Sequence, residues 1–242
     1  VARWRGVPLS YVLRRAGLKH GRAVDVMPEG LDSTVVTAGV DTGHVRRPLP
    51  IEKALHDALV VYEMNGQTLP PDHGFPVRLL VPGWVGVASI KWLGQIEVAD
   101  HPLFSPWNTT QYRLTGPTYS ADGPPLSNQA VKSAFELPFP ATFPAGSRQI
   151  LTGRSWSGAG SIRSVDVSTD GGATWCPTWL QRPYYPNAWV RWKLAWTPPA
   201  AGSYQLLARA TDCEGRTQPD AVPFNDLGYV FWAVVKHPVV VT

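Results

Sequence analysis

The chain has 242 residues, 44% hydrophobic and 17% charged, so it carries enough apolar material for a packed core, and its length favours two domains over one. Its net charge is +4, with arginine strongly outnumbering lysine, but no basic run, zinc-finger spacing or nucleic-acid module accompanies that charge; a small anionic ligand suits it better than a nucleic acid. The two cysteines, Cys176 and Cys213, form no CxxC, which argues against a zinc or iron–sulfur site, and no apolar run approaches a membrane span. Val1 rather than Met opens the chain, which reads as one that has lost its natural beginning, so the lack of a leader carries no information.

In chain order, Trp4-Arg-Gly-Val-Pro8 predicts a turn, followed by a short helix with Leu9, Val12, Leu13 and Ala16 on one face and Gly17 as its C-cap. Ala23–Met27 alternates like a strand, and Gly30-Leu-Asp32-Ser predicts a turn, in which an aspartate ordinarily bonds its own backbone. Pro50 is expected in the first turn of a short helix, Leu59–Tyr62 as a buried strand and Asn65-Gly66 as a tight turn.

The stretch from His73 to Trp92 then sets an imidazole, a guanidinium (Arg78) and an ammonium (Lys91) among apolar runs and the glycines Gly83 and Gly86. Those groups suit an oxyanion: Arg78 offers a planar fork, Lys91 a point charge and His73 a ring N–H. Taken alone, the stretch reads equally as a strand, a turn and a strand with solvated basic residues. Lys91–Val98 continues as a strand, and Trp107-Asn-Thr-Thr-Gln-Tyr112 follows. Thr115–Pro125 is dense in breakers and places a boundary, giving domains of 1–122 and 123–242.

Beyond that boundary the pattern is all-β. Strands are predicted at Val131–Phe135, Arg148–Thr152, Ser161–Ser168, Thr174–Trp175, Ala188–Trp196 and Ser203–Ala210, with Asp170-Gly171-Gly172 as a hairpin turn. In the last run Tyr204, Leu206, Ala208 and Ala210 share a face, and short strands at this spacing suggest an immunoglobulin-type sandwich. Cys176 and Cys213 both fall beside strand ends of this half, where they either pair or remain two buried free thiols.

Tyr62-Glu-Met-Asn-Gly66, Leu69-Pro-Pro-Asp-His73-Gly-Phe-Pro-Val-Arg78, Val81-Pro-Gly83 and Lys91-Trp92-Leu together resemble the molybdopterin domain of the sulfite oxidase family. Trp4 to Leu13 and Arg46 to Leu55 resemble further segments of that domain. Gly153-Arg-Ser-Trp156 through Trp175, Arg209–Asp212, Gln218-Pro219 and Asn225 to Tyr229 resemble the dimerisation domain that follows it. The implied fold is a partial α+β molybdopterin domain followed by an all-β immunoglobulin-like sandwich.

The resemblance implies a molybdenum-cofactor oxidoreductase that transfers an oxygen atom to or from a small, anionic oxo-substrate. In it Asp32, His73, Arg78, Ser89, Ile90 and Lys91 hold the pterin phosphate, and Tyr112 faces the metal; a packed tyrosine bridging loop and core is the alternative for Tyr112. Lys236 stands where the family carries a substrate-binding arginine; it keeps the charge but not the planar grip, which weakens the case for sulfite itself, and a solvated lysine is the alternative. The family's molybdenum-ligating cysteine belongs to a part of the domain that precedes this chain, and neither cysteine here sits in a matching motif. A homodimer through the second domain and an external electron-transfer partner are also implied. Frequent export of bacterial relatives, with a Trp-rich and Lys-poor composition, leans towards a periplasmic or extracytoplasmic location. The competing reading is a non-catalytic assembly module built on the same two domains.

Overall fold

The switch from mixed to strand-only patterning has a physical counterpart in the computed structural model, which describes every residue except His20, Ala38 and Pro186. Residues 1–127 together with 225–229 form one unit, and residues 128–224 with 230–242 form a second.

The first unit contains β1 (Trp4–Pro8), α1 (Leu9–Arg15), β2 (Asp25–Gly30), β3 (Val36–Thr37), β4 (Val40–Asp41), β5 (Leu49–Pro50), α2 (Ile51–His56), β6 (Leu59–Met64), β7 (Gln67–Thr68), β8 (Arg78–Leu80), β9 (Leu93–Ala99) and α3 (Pro106–Thr109). One sheet runs β1-β6-β7 with β8 also paired to β6; another runs β5-β2-β9, and β3 and β4 pair separately. Leu9 and Leu13, four residues apart on α1, are buried among Val26, Leu49, Ala54, Leu79, Ala88 and Ile90, so α1 supplies its apolar stripe to a core shared with strands. Arg14 and Arg15 occupy the last turn of α1, where the helix dipole favours cations, and Gly17 then takes φ +88°. Pro50 caps α2 rather than opening it, one residue earlier than the pattern suggests. Asn65 and Gly66, at φ 55° and 81°, make the expected tight turn between β6 and β7.

The predicted turn at Trp4–Pro8 is instead a strand, β1, because its backbone pairs antiparallel with β6, fifty to sixty residues on in the chain. Two later boundaries in this unit also differ from the sequence reading, for one shared reason. β2 extends to Gly30, and β9 begins at Leu93 rather than Lys91. Trp92 is left-handed at φ 48°, which breaks the extended path before Leu93, and its carbonyl accepts the Leu31 amide at 2.8 Å, which keeps β2 engaged past the expected turn.

The second unit contains β10 (Lys132–Phe135), β11 (Ala141–Phe143), β12 (Gln149–Trp156), β13 (Ile162–Ser168), β14 (Cys176–Pro177), β15 (Trp179–Gln181), β16 (Val190–Trp196), β17 (Gly202–Asp212) and β18 (His237–Val241). Two sheets, ordered β10-β12-β16-β15 and β11-β18-β17-β13-β14, face one another as a sandwich; all pairs are antiparallel except β11 with β18. Their inward residues form one core, with Leu151 and Trp192 from the first sheet against Val165, Leu206, Ala208 and Val239 from the second. Period-2 alternation places Leu206, Ala208 and Ala210 inside, with Tyr204 packed at the edge of the same core.

The predicted strand at Thr174–Trp175 is instead a turn. The Asp170 carboxylate accepts the Thr174 amide at 2.9 Å and the Thr174 hydroxyl at 2.5 Å, which folds the segment back and delays β14 to Cys176. Cys176 and Cys213 are free thiols, and both are exposed rather than buried. No helix among the described residues is long and apolar enough to cross a membrane.

Candidate functional site

The cationic stretch folds into three pieces that meet. Pro71–His73 forms a single 3-10 turn, β8 carries Arg78, and a second 3-10 turn, Gly86–Ala88, leads into Ser89, Ile90 and Lys91. Gly74 closes the first turn at φ +99° and is packed so tightly that a Cβ there would lie 3.0 Å from Lys91 Cα and Cβ and from the Trp92 nitrogen. That contact presses the His73 turn against Lys91 and Trp92.

Side-chain bonds lock the same pieces together. Arg78 Nη2 donates to the Ser89 carbonyl at 2.8 Å and Nη1 to the His73 carbonyl at 3.2 Å. Lys91 Nζ donates to the Asp72 carbonyl at 3.1 Å, and Trp92 Nε1 donates to the Pro71 carbonyl at 3.0 Å. The Ser89 hydroxyl accepts the Val81 amide at 3.1 Å. Arg78 also lies 5.3 Å from the centroid of the Trp4 ring, and burial lowers its pKa.

This arrangement leaves donors to spare. A guanidinium has two hydrogens on each Nη, and the two carbonyls take one apiece, so one N–H per Nη remains as a fork; the Lys91 ammonium keeps two of its three. The His73 side chain is exposed on the same turn. His73, Arg78, Ser89 and Lys91 therefore form a preorganised set that suits a phosphate-like oxyanion. Ile90 takes part differently: it is 2% exposed, packs into the core, and its carbonyl accepts the Leu79 amide at 2.8 Å, which ties the segment to β8.

Asp32 lies beside this set. Leu31 bonds the Trp92 carbonyl, and a Cβ on Gly30 would collide with the Asp32 carboxylate and approach the Lys91 carbonyl to 2.8 Å. The Asp32 carboxylate itself accepts the Val45 amide at 3.2 Å, and its carbonyl accepts from His44 Nδ1, so the residue ties its turn to the segment at His44 and Val45 rather than to its own neighbouring backbone. Gly83 is left-handed at φ +74° and serves a turn, whereas a Cβ on Gly86 would meet nothing within 4 Å.

Tyr112 belongs to another part of the first unit. It is half-buried, left-handed at φ 54°, and its ring stacks on Tyr229 at 5.1 Å between centroids. Burial and Tyr229 raise the phenol's pKa, and Arg47 opposes them. Lys236 is an exposed residue of the second unit, immediately ahead of β18 rather than on it. Among the described residues, no group of three or more His, Cys, Asp or Glu side chains is placed to hold a metal ion.

Three contributors carry no signal in a single sequence. Trp4 is remote in the chain from Arg78, the Pro71 and Asp72 carbonyls act through backbone atoms, and Arg47 reads as one of two adjacent arginines in an ordinary pre-helical segment. Only the Lys91-Trp92 adjacency hints at a cation held over a ring.

Comparison with known proteins bears on this geometry. Residues 1–107 match the family described as oxidoreductase molybdopterin binding domain, and residues 141–238 match the Mo-co oxidoreductase dimerisation domain. The chain is 36% identical to mitochondrial sulfite oxidase of Rattus norvegicus, over 91% of its own length and 42% of that protein's. It is 30% identical to nitrate reductase [NADH] 2 of Phaseolus vulgaris, over 96% of its own length and 29% of that protein's. Among solved structures, the sulfane dehydrogenase SoxCD from Paracoccus pantotrophus aligns with a TM-score of 0.83 at 29% identity, covering 97% of this chain and 59% of that one. The chain thus spans less than half the length of the rat and bean relatives. With both of its units matched and most of its length aligned to these enzymes, the chain belongs to the sulfite oxidase family of molybdopterin oxidoreductases.

Proposed function

We propose that the first unit holds the phosphate of the molybdenum cofactor through His73, Arg78, Ser89 and Lys91, with Ile90 fixing the backbone between them and Asp32 bracing the neighbouring turn. The observation that carries this reading is the convergence of the Arg78 and Lys91 side chains on the Pro71–Gly74 turn that carries His73, both oriented by backbone carbonyls and still holding unused N–H groups. Both side chains are already held by backbone carbonyls before a ligand arrives, so little side-chain entropy is lost on binding. When bound, the cofactor supplies oxygen-atom transfer chemistry; this chain's residues bind and orient it.

On this reading the protein is an oxidoreductase acting on a small, anionic oxo-substrate. The Tyr112 phenol, protonated at neutral pH as any tyrosine is, donates a hydrogen bond in the substrate pocket. Lys236 supplies the positive charge that the resemblance assigns to its position in the chain. The second unit serves self-association into a homodimer, which the match to a dimerisation domain supports, and electrons pass to an external protein partner, a role in keeping with the likeness to the sulfane dehydrogenase SoxCD.

The test is cofactor content. The longer protein carrying this chain, and its Arg78→Ala and Lys91→Ala variants, are purified, and molybdenum and oxidised-pterin fluorescence are measured per protomer. The expected result is loss of pterin in both variants with the fold retained. Full pterin and molybdenum content in both variants would reject the phosphate assignment.

A further inference from the structure

We propose that Arg47 is a positioning residue for Tyr112, holding the tyrosine in its left-handed conformation from inside the first unit. The assignment builds on the pocket role given to Tyr112 above, though its structural basis is separate.

Arg47 is 2% exposed, an uncommon place for a guanidinium. It forms no ion pair among the described residues. Its fork is spent on backbone: Nη1 donates to the Trp107 carbonyl and Nη2 to the Leu126 carbonyl, both at 2.6 Å. Those two carbonyls bracket Tyr112 in sequence. The link closes at Leu126, whose amide donates to the Tyr112 carbonyl at 2.7 Å. Arg47 thus ties α3 to the segment at Leu126, and that segment ties down Tyr112.

A bulky residue at φ 54° is a costly conformation, one that persists only when its surroundings over-determine it. Here three restraints meet: the Leu126 amide, the stack on Tyr229 and the Arg47 bridge. The bridge is the buried one, and it is expensive. Arg47 Nε has no hydrogen-bond partner among the described residues, and burial lowers the guanidinium's pKa to about 10, still charged at neutral pH. A cation kept at such cost between two carbonyls is explained by what those carbonyls hold. Lysine would not replace it, because an ammonium has no planar fork with which to span both acceptors.

The charge acts on the phenol as well. Tyr229 and Arg47 are the two ionisable groups that act on Tyr112, Tyr229 raising its pKa and Arg47 lowering it. Removing the cation therefore shifts the phenol in a known direction, which a purely structural prop would not do.

The test uses the full 242-residue chain, without cofactor, labelled with 13C at the tyrosine Cζ and with 15N. Tyr112→Phe assigns the Tyr112 signal. Arg47→Met removes the charge and the fork at similar length; Arg47→Lys keeps the charge and loses the fork. In Arg47→Met the Tyr112 phenol is expected to titrate at higher pH than in the parent, with the Leu126 amide resonance moved. In Arg47→Lys the phenol's titration stays close to the parent while the Leu126 amide moves. A folded Arg47→Lys whose Leu126 amide and Tyr112 ring resonances match the parent overturns the inference, whether or not the Met variant folds. Turnover of the longer enzyme carrying Tyr112→Phe separates the two claims. Unchanged turnover with a moved Tyr112 rejects the pocket role alone. Lost turnover with an unmoved Tyr112 rejects the Arg47 assignment alone.

Discussion

The Lys91 ammonium lies 4.2 Å from the centroid of the adjacent Trp92 ring, and the two side chains reach the same short turn, Lys91 to the Asp72 carbonyl and Trp92 to the Pro71 carbonyl. A flexible lysine is thereby held at one place by a ring beneath it and a carbonyl ahead of it, which lowers the entropy lost when it meets an anion.

That relationship makes Trp92 a structural hinge-pin for the His73 turn. Trp92→Leu removes both the ring and the indole N–H, and is expected to cost about 1–3 kcal/mol. It should also speed amide exchange at His73 and Gly74, whose N–H groups bond Pro70 and Pro71. Trp92→Phe keeps the ring and loses only the N–H, so it should fall between. Hydrogen exchange by NMR reads this directly; parent-like protection in the leucine variant would show that the turn stands without the indole.

Gly74→Ala attacks the same place from the backbone. At φ +99° the new Cβ is strained, and it meets Lys91 and the Trp92 nitrogen at 3.0 Å. A loss of about 1–2 kcal/mol is expected from the left-handed conformation alone. Chemical denaturation followed by the fluorescence of Trp92 and its neighbours measures it. An unchanged midpoint would mean that the turn has room to open.

In the sandwich, a Cβ on Gly153 would collide with the Trp192 indole and the Ala134 carbonyl. Trp192 is fully buried and donates from Nε1 to the Ser155 hydroxyl at 3.0 Å. Gly153→Ala should therefore destabilise by about 1–3 kcal/mol through overpacking. Trp192→Phe should also destabilise, but the smaller ring gives the new methyl room. The double variant is expected to be more stable than the sum of the singles implies, which a double-mutant cycle of unfolding energies would detect. Strict additivity would place the clash at the Ala134 carbonyl alone.

Asp212 ties acid stability to the second unit. It is fully buried, which disfavours its charge, yet it accepts the Ser157 hydroxyl at 2.8 Å and the Arg216 amide and Nε at 3.0 Å, and these outweigh burial to hold its pKa below the ordinary carboxylate range. With the folded pKa below the unfolded value of about 3.9, the contribution is present above that pH and disappears as pH falls through the folded value. Thermal melts of the parent should therefore lose stability steeply below about pH 4. Asp212→Asn should be less stable at neutral pH and show a shallower acid slope. Parallel slopes in the two proteins would assign the acid sensitivity to other carboxylates.

Much of this molecule was legible in its sequence because local signals and tertiary demands agree. The i, i+4 pair Leu9 and Leu13, the turn Asn65-Gly66 and the alternation through Leu206, Ala208 and Ala210 each specify their element from neighbouring residues alone, and the core accepts all of them. The candidate anion-binding residues were equally visible, since His73, Arg78 and Lys91 fall within one stretch.

Tertiary structure alone decided how those residues act. The start of β9 at Leu93 depends on the left-handed Trp92, whose carbonyl is claimed by Leu31 sixty-one residues earlier in the chain, and periodicity cannot register such a bond. The turn at Asp170 displaced a strand because a carboxylate outcompeted the sheet for the Thr174 amide. Arg47 is the clearest case. Its residue type suggests solvent, and only the folded backbone brings the Trp107 and Leu126 carbonyls to the two arms of one buried guanidinium. Side-chain chemistry is written in the sequence; the direction in which a backbone carbonyl points is settled when distant segments pack, and there the tertiary structure assigns each cation its partner.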